Sequence, residues 1–445
     1  MQTRAFVWLL VCGSMAGWPA RAAESPGEGR QDLTHPQSPT SAPLLSLTDA
    51  LREVVEKNPD LAALRQQVDV VRQRPRQERV LDAPMAEAQI WQWPVNTLNP
   101  ANTNMYMFML TQDVPGRGKR DLRAAVAEKA VALAEVDVAV RARDVLNEVK
   151  QAYAALFIAR KAIDVHLQSV ELLRQITDVS QAKYSTGRIS QQDVLKPTLE
   201  LSRLHGDIIE FGEQANTAAA RLNVLMDRPP EAPIGPLVEP REQRLLPATT
   251  DLQRMAIERQ PELQRSRLEI EHAEAELASV KRDRQPDFVV QGGYMLTPRM
   301  TDAWMGRIGI TWPTAPWSRG KLTARVAEQT SAVEAAKGRE RAMENRVRLA
   351  VQEAYVRAAA AQERAALLRT TILPQSRQTF DVSRAAYQTD RLDFQSLIDN
   401  ERVLLASELD YFKALSDFDL AVADLERAIG AELPASTVTV VTEAK

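Results

Sequence analysis

Residues 85–114 read MAEAQIWQWPVNTLNPANTNMYMFMLTQDV, and 202 positions later residues 287–312 read DFVVQGGYMLTPRMTDAWMGRIGITW. Each stretch holds two runs of about ten residues, rich in aromatic and long apolar side chains. In the first, runs 85–94 and 104–114 flank the turn-type segment 95–102; in the second, runs 287–296 and 303–312 flank a short loop through Thr297, Pro298 and Arg299. Phe288, Val290, Gly292 and Tyr294 alternate, the period of a strand. Ten residues is the length of a membrane-spanning β-strand. Trp91, Trp93, Tyr294, Trp304 and Trp312 sit near the run ends, where interfacial aromatic girdles belong. Four strands cannot close a barrel, and an open sheet edge cannot face lipid. Either several chains pool their hairpins, or the hairpins are not in a membrane. Pooling is the better reading, because long helices below a shared barrel would continue it as a tube.

The flanking sequence supplies those helices, and it too is written twice. Asn58-Pro59-Asp60-Leu61 returns as Gln260-Pro261-Glu262-Leu263, Arg117-Gly118-Lys119 as Arg319-Gly320-Lys321, and Gln151-Ala152-Tyr153 as Glu353-Ala354-Tyr355. One insertion later, Tyr184 to Ile189 returns as Tyr387 to Leu392. Val347, Val351, Ala354, Ala358, Ala361, Ala365, Leu368 and Ile372 are spaced alternately four and three. Their partners Val145, Val149, Ala152, Leu156, Ala159, Ile163, His166 and Val170 carry the same heptad seam. The pattern predicts one helix per copy, roughly 121–184 and 322–387, each on the order of 95 Å long. Off-seam Leu146, Tyr153 and Phe157 require neighbours on more than one side.

The chain has 445 residues, 44% hydrophobic and 26% charged, with a formal net charge of −3, so nucleic acid is not an expected partner. Arg4, the apolar run 5–17 and Ala20-Arg21-Ala22 read as a secretory signal over 1–22. The only cysteine, Cys12, falls inside it; acylation of Cys12 is the competing reading, disfavoured by the bulky Val11. Residues 23–44 read as a flexible leader, 45–236 and 237–430 as the two copies, and 431–445 as a polar tail.

In order and spacing, the opening Leu47 to Leu61 with its second copy, both hairpins and the turn Tyr184 to Leu195 resemble the TolC-like outer-membrane efflux family over nearly the whole mature chain. Residues 112–120 look most like its heavy-metal branch. The resemblance implies a mainly α fold with a β-barrel part, built as a homotrimer. Three chains would give a twelve-stranded barrel in outer-membrane lipid and a periplasmic α-barrel below it. It further implies a passive conduit docked to a periplasmic adaptor protein and an inner-membrane pump, with metal cations as candidate cargo. A type I protein-secretion channel is a same-fold alternative. A periplasmic coiled-coil adaptor is an alternative of another class, set back by the absence of lipoyl-like halves.

The resemblance places a periplasmic gate at Asp193, Asp399 and Tyr387, and an adaptor-docking tip at Gly187, Arg188, Ile189, Asp390, Arg391 and Leu392. Carboxylate rings would constrict the pore and favour cations. The plainer reading of Asp193 is a helix cap, since Ser190-Gln-Gln-Asp193 is a capping-box pattern. Gly187 suits a left-handed helix end, whereas its copy is Asp390, so the two tips need not be equivalent. Met105, Met107 and Met109 share one strand face. A Cu(I) relay is the sharper reading of them, and lipid-facing apolar residues the preferred one, because Phe108 and Leu110 make the other face apolar too. Arg117, Lys119, Arg120 and Arg123 suit either anionic headgroups or a solvated corner. His35, His166, His205 and His272 are scattered, so no metal site, cofactor or catalytic group is expected.

Overall fold

The computed structural model describes residues 43–97, 99–187, 189–239, 247–298, 300–389 and 391–433. The expected signal, Cys12, most of the leader and tail, and the tip residues Arg188 and Asp390 lie outside the described residues. The first copy runs α1 (Leu47–Lys57), α2 (Pro59–Val71), α3 (Arg74–Arg79), β1 (Met85–Trp91), β2 (Met105–Val114), α4 (Lys119–Ser185) and α5 (Gln191–Leu225). The second runs α6 (Thr249–Arg259), α7 (Pro261–Arg282), β3 (Phe288–Leu296), β4 (Ala303–Ile310), α8 (Arg319–Leu367), α9 (Leu373–Gln388) and α10 (Phe394–Ile429).

Local chemistry explains the boundaries. Asn58 both ends α1 and caps α2, its Oδ1 accepting from the Leu61 N–H at 3.2 Å, while Pro59 needs no donor at the first helical position. Strand β1 stops at Trp91 because Gln92 adopts φ 59°, leaving Trp93 and Pro94 outside the expected run. β4 likewise stops short, at Ile310, and Trp312 belongs to the corner that follows.

The seam residues pack as their spacing requires. All are buried except Ile163, Ala361 and Ile372, which are half-buried. At 67 residues α4 is about 100 Å long. The second copy departs from the expected continuous helix: a π turn over Leu368–Ile372 separates α8 from α9. Two features of the sequence meet there. Pro374 offers no N–H to the preceding turn, and the repeat offset grows from 202 to 203 between Ile372 and Tyr387. A π turn takes up one extra residue, so the seam above and the tip below both keep their faces. The first copy has no proline there, and α4 runs through unbroken.

The off-seam residues close a belt midway along the bundle. Tyr153 is buried; its Oη lies 3.1 Å from the Leu45 carbonyl and accepts from the Val238 N–H at 2.9 Å. Leu45 in turn bridges Leu237 in parallel, so the segments that open the two copies meet on α4. The end of α10 is fixed by Gly430, at φ 75° and with the Arg259 carbonyl 2.7 Å from where a Cβ would stand. Gly430→Ala is expected to cost about 2–4 kcal/mol, from left-handed strain plus a backbone clash. Thermal unfolding of the purified protein checks this, and an unchanged midpoint would show that the close approach is not needed.

Candidate channel wall and helical tips

The two hairpins join into one antiparallel sheet, β1-β2-β3-β4, with β2 against β3 linking the copies. The register sorts every side chain onto a face. Phe108 pairs Tyr294, which pairs Trp304; Leu110 pairs Gly292; Gln112 pairs Val290, which pairs Ile308; Val114 pairs Phe288, which pairs Ile310. This even-numbered face is apolar almost throughout, and Trp304, Ile308 and Ile310 on it are largely exposed. The odd-numbered face carries Glu87, Gln89, Thr111, Asp113, Gln291 and Arg307. One face suits hydrocarbon and the other water, the pattern of an outer-membrane barrel wall. Trp304 and Trp312 lie eight residues apart, about 27 Å if the chain ran extended between them, and each is exposed beside a second aromatic ring: Trp304 against half-buried Tyr294, and Trp312 against exposed Trp317. Such pairs at both ends of an apolar band mark its two interfaces.

The register corrects the preferred reading of the methionines. Met105, Met107 and Met109 lie on the odd-numbered face, with the polar groups and away from the hydrocarbon-type surface. Sequence alternation showed only that they share a face; strand pairing decides which neighbours they share it with.

Where β2 turns into α4, the basic cluster divides. Lys119 is buried, its Nζ 2.8 Å from Asp287 Oδ1, and the Gly116 N–H donates to the same carboxylate at 2.7 Å. Arg120 donates to the Arg79 carbonyl, and Arg117 is exposed. Lys119 therefore joins the strand–helix corners of the two copies, and is not free for a headgroup.

The other end is formed by α4 and α5 beside α9 and α10. Val170, Leu173, Ile176, Leu204, Phe380 and Leu397 build its core, with Leu392 packed against it. Gly187 ends α4 at φ 72° with no atom within 4 Å of a would-be Cβ, so conformation alone calls for glycine. Asp193 caps α5, accepting from the Ser190 N–H at 3.2 Å and from Ser190 Oγ at 2.8 Å. Asp399 is exposed, bonded to Gln395 on its own helix. The positions equivalent to Asp193 and Asp399 are Ser396 and Lys196, so the two carboxylates are not copies of each other. Asp399 stands three residues, about 4.5 Å, further up its helix than the Asp193 equivalent. Ile189 is half-buried and Arg391 exposed. Tyr387 is buried in the chain's own tip, its Oη 2.7 Å from Ser180 Oγ and its ring against Phe394. Lys183 sits over the ring, whereas Tyr184, the copy of Tyr387, is exposed.

Two tip features escaped the sequence reading. Arg402 forks onto Glu200, with Nε to Oε1 at 2.9 Å and Nη2 to Oε2, tying α10 to α5. Beside it Glu401 is fully buried, and burial pushes its carboxyl above the ordinary range. The available signal was an opposite-charge pair at nearly the repeat offset, since Arg402 lies 202 positions after Glu200. Elsewhere on α10, burial pushes the Asp419 carboxyl up to about 7, with Lys150 opposing and Glu426 reinforcing the shift. His166 packs in the seam, its Nδ1 2.8 Å from the Ala162 carbonyl and its ring against Phe211. Among the described residues no group of three His, Cys, Asp or Glu side chains could hold a metal. Nor is any described helix long and apolar enough to cross a membrane.

A duplicated helical bundle bearing a two-faced hairpin sheet defines the class: an outer-membrane channel protein with a long periplasmic helical extension. The chain belongs to the outer membrane efflux protein family, whose profile matches residues 50–227 and 252–431. It is 22% identical over 393 residues to the cobalt-zinc-cadmium resistance protein CzcC of Cupriavidus metallidurans, covering 87% of this chain and 90% of that protein. Its fold matches the outer-membrane channel OprN with a TM-score of 0.73 at 17% identity, covering 86% of this chain and 90% of the other. It also matches CusC, described in terms of transmembrane channel formation, with a TM-score of 0.71 at 15% identity, covering 86% and 92%. VceC of Vibrio cholerae matches at 0.71 and 14% identity, covering 87% and 96%.

Proposed function

We propose that three copies of this chain assemble into a passive conduit from periplasm to outside, working with a periplasmic adaptor and an inner-membrane pump that exports metal cations. The observation that carries the assembly is the sheet: one apolar face, one polar face, and two edges, β1 and β4, with no partner strand among the described residues. An edge facing hydrocarbon leaves backbone donors and acceptors unpaired, so β4 of one copy pairs with β1 of the next. Twelve strands close a cylinder with the polar face inward. The likeness to CzcC supports metal cargo. Membrane extraction should yield a trimer that migrates as such until heated; a stable soluble monomer overturns the assembly.

At the tip, Asp193 and Asp399 from three copies form two stacked carboxylate rings that hold the aperture closed to anions and slow to conduct. The adaptor docks on Gly187, Ile189, Arg391 and Leu392 beside them, together with Arg188 and Asp390. The double variant Asp193→Asn with Asp399→Asn removes the charge while keeping an acceptor at the α5 cap. It is expected to lower cation preference and to change single-channel conductance about twofold or more in planar bilayers. Unchanged selectivity and conductance would remove both carboxylates from the gate.

A further inference from the structure

Six of the chain's 12 methionines lie on the four strands, and all six, Met85, Met105, Met107, Met109, Met295 and Met305, fall on the odd-numbered, polar face. As hydrocarbon-facing filler they would belong on the opposite face, which carries none. The pairing also gathers them. Met107 stands directly opposite Met295, at the 4.5–5.5 Å typical of paired Cα atoms. Met109 and Met305 are separated only by Gly293, about 10 Å from strand to outer strand, with no side chain between them. A Cβ on Gly293 would meet Met109 Cγ at 3.1 Å, so the Met109 side chain already leans over the glycine toward β4. Its Sδ lies 3.4 Å from Gln291 Nε2, on the same face. Four flexible thioether arms thus converge on three adjacent strands.

We infer that Met107, Met109, Met295 and Met305 form a thioether site for soft monovalent cations, Cu(I) or Ag(I), on the wall of the conduit. The chemistry follows from the donor. A thioether is neutral, polarisable and unable to lose a proton, so it binds soft d10 monovalent ions and leaves hard or borderline divalent ions to carboxylate, imidazole and thiolate. Glu87, paired opposite Met109, adds a negative charge that favours a cation without completing a divalent site. Three chains would repeat the site around the lumen, giving several weak stations, which is what passage needs: binding good enough to enter and poor enough to leave. This inference rests on the conduit reading, because it requires the odd-numbered face to line water.

The test uses the full-length protein, purified as the assembled channel in detergent, titrated with Ag(I) in a chloride-free buffer by calorimetry. The variant Met107→Leu/Met109→Leu/Met295→Leu/Met305→Leu conserves volume and apolarity, and Met255→Leu/Met343→Leu serves as control. Wild type and control are expected to bind Ag(I) alike, the fourfold variant at least fivefold more weakly, and excess Zn(II) is expected not to compete. Loss of less than fivefold, absence of Ag(I) binding, or competition by Zn(II) each overturns the site. Should the fourfold variant fail to assemble, silver-edge X-ray absorption on the wild type decides: sulfur neighbours support the site, and oxygen or nitrogen neighbours alone refute it. Potassium conductance of the same preparation separates the two readings. A channel that conducts but does not bind Ag(I) sinks only the thioether site; one that conducts neither as wild type nor as the Asp193→Asn/Asp399→Asn double variant sinks the conduit.

Discussion

Ile308→Arg is expected to abolish accumulation of the assembled protein in the outer membrane, while Thr111→Arg is tolerated. Ile308 lies on the apolar face, 80% exposed in the single chain, and midway between Trp304 and Trp312, which mark the two ends of the apolar band. Thr111 lies on the polar face of the central strand β2, paired with Met85 and Gln291. A cationic side chain at mid-depth on the lipid face of a barrel costs about 2–4 kcal/mol, and closer to zero at the interfaces. In the proposed trimer that cost would recur in each of three copies. The same substitution on a water-filled lumen meets no such penalty, because the guanidinium keeps its hydration. The two substitutions therefore ask which face meets lipid, independently of any homologue. Membrane fractionation with a gel assay for the heat-labile trimer reads the outcome. If Thr111→Arg were lost and Ile308→Arg retained, the faces would be assigned the wrong way round, and the methionine site would go with them.

The second large effect is expected at the tip. Arg402→Ala removes the fork on Glu200, whose side chain is only 10% exposed, and leaves that carboxylate with the exposed Arg203 at 3.7 Å, next to the already buried Glu401. Breaking a buried pair on one side costs several kcal/mol; with Arg402 itself 41% exposed, about 2–3 kcal/mol is the appropriate scale. The loss falls on a fork that ties α5 to α10, so the two helical hairpins loosen from each other at the tip. Conductance should rise and protease sensitivity near the tip turns should increase, with the sheet end unaffected. The charge-swapped double Glu200→Arg/Arg402→Glu should recover much of the loss, since it keeps the fork while reversing it. Equal damage in the single and swapped variants would mean that Arg402 acts through packing alone. Here too the local charge works on a global element, the relative position of two hairpins.

Much of this architecture was legible because helices and strands write their period into the chain. Alternation at three and four marked the seam from Val145 to Val170 and its copy, and thirteen of those sixteen side chains are buried, the other three half-buried. Ten-residue aromatic runs marked the hairpins, with ends displaced by a few residues where Gln92 and the corner after Ile310 interrupt pairing. The capping pattern at Ser190 and Asp193 is present as read, and Gly187 takes the left-handed conformation expected of it. The insertion inferred from the shifted repeat offset is taken up as a π turn beside Pro374, a feature whose form the offset alone could not supply. Other features needed partners distant in sequence. Lys119 looked like one of four surface cations until Asp287 closed on it, and Arg402 had no visible role before Glu200 faced it.

The sequence by itself determined the duplication, the long helices and the hairpins, because each follows from local period, length and turn chemistry. Tertiary structure alone decided which face of that sheet carries the methionines, which cation is buried at the corner, and how the two tips are clamped. These depend on strand register and on contacts between residues some 170–200 positions apart, and a one-residue slip in register would exchange the two faces without altering a single letter of the pattern.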